Sequence, residues 1–173
     1  MSQTDPESAE LTLEEARAMI DRALAKAAEL NQAGAFAVVD AGGNVVSISR
    51  MDGSPAQSVH VARAKAYGAA VNGRPTAMVA SRWQERPTVF GSLQTLLPGK
   101  LFPGPGGMTI RKGRRIVGGI ATAGVPPTRQ IPGVDPAKLL APNGEAANAE
   151  DLVISIALGA PYTDQHPGID AAG

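Results

Sequence analysis

The chain has 173 residues, the length of one ordinary domain, and is long enough to bury about two-thirds of its unfolded surface. Sixteen Lys+Arg balance sixteen Asp+Glu and aromatics are 3%, which argues against a nucleic-acid-binding domain: the basic excess and the stacking platforms are both missing. With no cysteine, disulfides, thiolate metal sites, iron–sulfur clusters and a cysteine nucleophile are excluded, and with two histidines, His60 and His166, so is a three-histidine zinc site.

Residues 1–11 read as a disordered, acidic leader without signal-peptide character. No apolar run has the length of a membrane span, so the chain is expected to be soluble and cytoplasmic. Thr12 and Glu15 have capping-box spacing, and Leu13, Arg17, Ile20, Leu24, Ala27 and Leu30 follow as a helical stripe. Asn31 to Gly34 end that helix. A hairpin comes next, with strands at 35–39 and 45–51 around a turn at Asp40-Ala41-Gly42-Gly43-Asn44. Ser54 as N-cap and Pro55 at the first position predict a second helix with a small-residue stripe of Val59, Ala62, Ala66 and Ala69/Ala70, stopping at Gly73. Thr76 caps a shorter helix to about Trp83; Pro87 breaks it, and 88–97 reads as a helical turn or loop.

Residues 98–107 are too rich in glycine and proline for regular structure. A second hairpin follows, with strands at 108–111 and 115–123. Gly118-Gly119 inside the second strand signals a bulge or the close approach of another backbone. Residues 125–147 form a long proline-rich loop, of the kind that serves as a lid or an interface or is a disordered insertion. A last helix spans about 148–158, and residues 160–173 read as a tail. The order αββα(α)ββα is an α+β domain over 12–159.

Five stretches in order, Val38-Val39-Asp40-Ala41-Gly42-Gly43-Asn44, Arg50-Met51-Asp52-Gly53, Ala62-Arg63-Ala64-Lys65-Ala66-Tyr67, Phe102-Pro103-Gly104 and Val117-Gly118-Gly119-Ile120, resemble the GlcG/HbpS family, also called the haem-degrading or PduO C-terminal-like domain family. The resemblance implies a profilin-like sandwich around a five-stranded antiparallel sheet, a homo-oligomer, and a small-molecule ligand that in some members is haem. The chain departs from the pattern in two places. His60 stands at a position expected to be acidic, and the 125–147 loop replaces a short glycine-rich link.

His60 has the chemistry of an axial haem ligand or of a general base near neutral pH, against a plain reading as a solvated helix residue. Arg63 is three residues on, sharing its face, and offers a planar fork of donors to a carboxylate or propionate. Lys65 joins it as a ligand-binding cation on the strength of the resemblance. Asp52 is a candidate to orient His60 or accept a proton, with Arg50 as its ion-pair partner; the plain reading is a turn aspartate. The amides around Gly104 and Gly106 are expected to form a nest for an anion or carbonyl oxygen, with Phe102 nearby, read more readily as core than as a stacking partner. Thr122 is a further candidate hydroxyl, and Glu150 and Asp151 read as helix-start acids suited to the dipole.

Three functions are compatible with this set. The first is a small-molecule or haem-binding protein, with His60 at the iron and Arg63 and Lys65 on propionates. The second is a cofactor-free catabolic enzyme acting on a small carboxylated or carbonyl substrate, with His60 or Asp52 moving a proton. The third is an assembly module packed through the small-residue helix.

Overall fold

The computed structural model describes residues 10–125 and 149–159. Residues 1–9 of the expected leader, most of the proline-rich loop and the tail with His166 lie outside the described residues; Leu11, at the end of that leader, packs against the core. The elements run α1 (Leu13–Glu29), β1 (Ala35–Asp40), β2 (Val45–Arg50), α2 (Ser58–Asn72), α3 (Thr76–Glu85), α4 (Pro87–Leu96), β3 (Gly107–Lys112), β4 (Arg115–Ala123) and α5 (Ala149–Leu158).

The two hairpins join into one antiparallel sheet of order β2-β1-β4-β3. Among the described residues it has four strands, not five. Two hairpins supply four extended runs, and after Ala123 the next described element is a helix. β1 shows why the sheet is a middle layer. Its odd-numbered residues Ala35, Ala37 and Val39 pack on α2, whereas Phe36 and Val38 pack with α1 and α5. Period-two alternation with both faces buried gives the short, wholly apolar run seen in the sequence.

The two faces differ in side-chain size. On the α1/α5 side lie Phe36, Met108, Ile110, Ile120, Val153 and Ile154. On the α2 side the buried residues are alanines and Val39, and Gly119 faces the helix backbone. A Cβ on Gly119 would collide with the Ala66 carbonyl and sit 2.9 Å from Ala70 N. Here the glycine pair marks a close backbone approach. A bulge lies beside it, because Ile110 pairs with Gly118 but Arg111 pairs with Ile116.

Several element edges differ from expectation. The capping box of Thr12 and Glu15 is present; of the expected α1 stripe Ile20 and Ala27 are buried and Leu24 and Leu30 partly so, but Leu13 is 45% exposed and Ala16 and Ala23 take the buried face instead. α2 starts at Ser58 rather than after Ser54, whose hydroxyl is buried with no hydrogen-bond partner among the described residues. Thr76 does not cap α3; Pro75 holds that place and the threonine hydroxyl is used elsewhere. Pro87 opens α4 instead of only ending α3, because a proline at N1 lacks just the N–H that would go unused. The Trp83 and Phe90 rings stack at 4.9 Å and join the two helices.

Candidate functional site

Lys65 lies in the middle of α2 between Ala64 and Ala66, and all three are buried. Its ammonium donates to Glu150 Oε2 at 2.7 Å and to the Thr122 carbonyl at 3.1 Å. The side chains of this pair are only 4% and 11% exposed. A buried lysine is tolerated because a carboxylate and a carbonyl oxygen replace its water. The Phe102 ring lies above it, 5.8 Å from ammonium to ring centroid, and a Cβ on Gly104 would be 3.5 Å from Lys65 Cε. Phe102 is 42% exposed, so it is a cover rather than a core residue.

The first turn of α5 brings a second carboxylate. Asp151 Oδ1 accepts from the Gly106 amide at 2.8 Å. Gly106 has φ +95°, and a Cβ there would stand 2.7 Å from Glu150 Cβ, so only glycine lets the loop seat on α5. The Gly106 carbonyl accepts from Thr122 N at 2.8 Å, and Gly107 N donates to Thr76 Oγ1 at 3.0 Å. Two amides of the expected nest are therefore engaged by protein acceptors.

Burial pushes the Glu150 carboxyl up, opposed by the charge and hydrogen bond of Lys65. Burial likewise pushes Asp151 up to about 7; the Gly106 amide opposes this and the Glu150 charge adds to it. Lys65 thus meets Glu150 in a direct buried ion pair and acts on the neighbouring Asp151 through its charge.

The structure brings Lys65, Phe102, Gly104, Gly106 and Thr122 together. The Thr122 hydroxyl is fully buried without a hydrogen-bond partner among the described residues, while its backbone does the work. His60, Arg63 and Asp52 form no part of this cluster; all three are exposed. No hydrogen bond joins Asp52 to His60 among the described residues, and Arg50 donates to the Ser54 carbonyl at 2.9 Å rather than pairing with Asp52. Glu150 and Asp151 are site residues that read in the sequence only as helix-start acids. A lysine flanked by alanines was the available signal that a buried carboxylate must exist somewhere in the chain.

No group of three His, Asp or Glu side chains suited to a bare metal ion occurs among the described residues. None of their helices is long and apolar enough to cross a membrane.

The family model for the haem-degrading protein HbpS-like family matches residues 11–130. The chain belongs to this family. A similar protein in Citrobacter freundii, the "Uncharacterized 15.0 kDa protein in dhaT-dhaS intergenic region", is 29% identical over 116 residues, covering 67% of this chain and 81% of the relative. A crystal structure of a double mutant of Streptomyces reticuli HbpS is similar with a TM-score of 0.68 and 25% identity, over 92% of this chain and 89% of that one. The structure described as a PduOC:Heme Complex has a TM-score of 0.65 at 18% identity, over 92% and 96% of the two chains, a likeness of fold. The matched segment contains α1 to β4, and with them Lys65 and the 102–107 loop; α5 with Glu150 and Asp151 lies beyond it.

Proposed function

We propose that this protein binds a small molecule, with haem as the ligand. The single observation that carries the reading is membership of the HbpS-like family, and the relative solved as a heme complex adds to it. The residues present suit the group. His60 offers an exposed imidazole nitrogen, and Arg63, also exposed and three residues on, offers a guanidinium on the same face of α2. Haem would supply an iron and two carboxylates; the His60 imidazole would hold the iron and Arg63 would hold a propionate. Lys65 is less suited to a propionate than Arg63, because Glu150 already neutralises it. A profilin-like classification, a homo-oligomeric state and a cytoplasmic location belong to the same proposal.

Titrating the purified protein with hemin by absorbance tests it. The expected result is a saturable Soret shift that His60→Ala abolishes and Arg63→Ala weakens. No shift, or the same shift in wild type and His60→Ala, overturns the axial role.

A further inference from the structure

A sheet strand with one covered face ordinarily turns apolar residues inward and polar ones outward. β2 does the reverse. Ser47 and Ser49 stand opposite Val38 and Phe36, on the side of the larger core. Val45 and Ile48 stand opposite Val39 and Ala37, on the side of α2, yet are 47% and 37% exposed. Arg50, opposite Ala35, shares that face and is exposed too. α2 leaves them open because its alanines pack on β1 and β4. Tyr67 marks the flank of α2 nearer β2: a Cβ on Gly43, between β1 and β2, would collide with its ring. Arg63 and His60 lie four and seven residues before Tyr67, so they share that flank, and both are exposed. The result is a shallow trough. Val45 and Ile48 form its floor, His60 and Arg63 its wall, Arg50 one end and Tyr67 the other.

We propose that this trough holds a planar apolar ring carrying two carboxylates, and that Val45 and Ile48 recognise the ring itself, so that a metal-free tetrapyrrole binds there as well as haem. The inference rests on the haem reading for its ligand class and adds the floor and the second cation. Neighbouring apolar side chains left in water offer contact area that the fold itself does not use. Both are β-branched and stiff, so a flat ligand costs them little rotamer freedom. Two guanidiniums match two carboxylates. Arg50 spends Nη1 on the Ser54 carbonyl at 2.9 Å and keeps its other N–H donors. Asp40, the acid of this hairpin, is engaged by the Gly42 and Asn44 amides. A second copy of the chain is the poorer occupant. Twofold pairing across this face would set Arg50 and Arg63 against their own copies, like charge on like.

The test separates the ring from the iron. Metal-free protoporphyrin is titrated into the full chain and followed by its own fluorescence, beside a hemin titration by absorbance. The expected result is a saturable rise in protoporphyrin emission that His60→Ala leaves unchanged. Ile48→Asp is expected to weaken both ligands about tenfold or more, because it sets a carboxylate under an apolar ring. The double variant Arg50→Ala, Arg63→Ala weakens both as well. Hemin bound without protoporphyrin overturns recognition of the ring and leaves the haem reading standing. Protoporphyrin bound as expected, with hemin indifferent to His60→Ala, removes the axial role and supports the floor. Binding of neither ligand overturns both readings. Equal binding of protoporphyrin by wild type and Ile48→Asp overturns the floor, and if that variant also elutes differently in size exclusion, the face belongs to a second copy. Val45→Asp repeats the test at the more exposed floor position, should Ile48→Asp not fold.

Discussion

Among the described residues two lysine–glutamate pairs join separate elements, and they are the same chemistry in opposite settings. Lys112 reaches from the end of β3 to Glu15 at the start of α1, 2.8 Å apart, with side chains 20% and 39% exposed. Lys65 reaches from α2 to Glu150 at nearly the same distance and is shut away from water. The carboxyl of Glu15 is held below its usual range, by Lys112 first and then by the Thr12 amide. The carboxyl of Glu150 is pushed above it by burial, although its lysine is as near. Distance does not decide the sign; desolvation does. An exposed pair gains little, whereas a buried pair is costly to form and costlier to halve.

The largest test of that contrast is to remove each lysine. Lys65→Met leaves the buried Glu150 carboxylate without its ion-pair partner and is expected to cost about 3–5 kcal/mol of stability at neutral pH in denaturant melts. Adding Glu150→Leu should recover a substantial part of it. If Lys65→Met costs no more than Lys112→Met, the contrast fails.

A middle-sized effect comes from pH. Asp151 has a raised folded pKa, so its favourable contribution is full below the unfolded value of 3.8 and shrinks as pH rises through about 7. Wild type should therefore lose stability relative to Asp151→Asn between about pH 5 and pH 7, read as the difference between two melting curves. Glu15 behaves oppositely: its contribution is present above 4.5 and is lost as pH falls through its lowered folded pKa. The smallest effect follows. Glu15→Gln keeps an acceptor for the Thr12 amide and loses the ion pair, and is expected to cost roughly 0.2–1 kcal/mol at low salt and less at high salt.

The exposed pair was half legible in the sequence, because Thr12 and Glu15 are three residues apart and capping is a local rule. Both hairpins, the close approach at Gly118-Gly119 and the stop at Gly73 were legible for the same reason. The buried pair was not, since Lys65 and Glu150 are 85 residues apart. An acid in the first turn of a helix already has a sufficient local explanation in the dipole, which hid the need for a buried partner. α4 was missed because a proline can end one helix or begin the next, and the stacking of Trp83 on Phe90 is invisible before folding. On α1 the stripe was right at Ile20 and Ala27 but was started on the large Leu13, whereas the small Ala16 and Ala23 are the residues buried beside them. The candidate site was legible as to Lys65 and its covering loop, and blind to the acids beneath.

The bare backbone of Gly119 has a mechanical consequence. α2 rests on β4 at the Ala66 carbonyl, one residue from Lys65, with no compressible side chain between. The strand acts as a hard stop, and the helix cannot roll or sink against it. The helix backbone is thereby set against the strand that carries the Thr122 carbonyl, which the Lys65 ammonium reaches. The ammonium's contact with Thr122 should fail with a single methyl group at position 119.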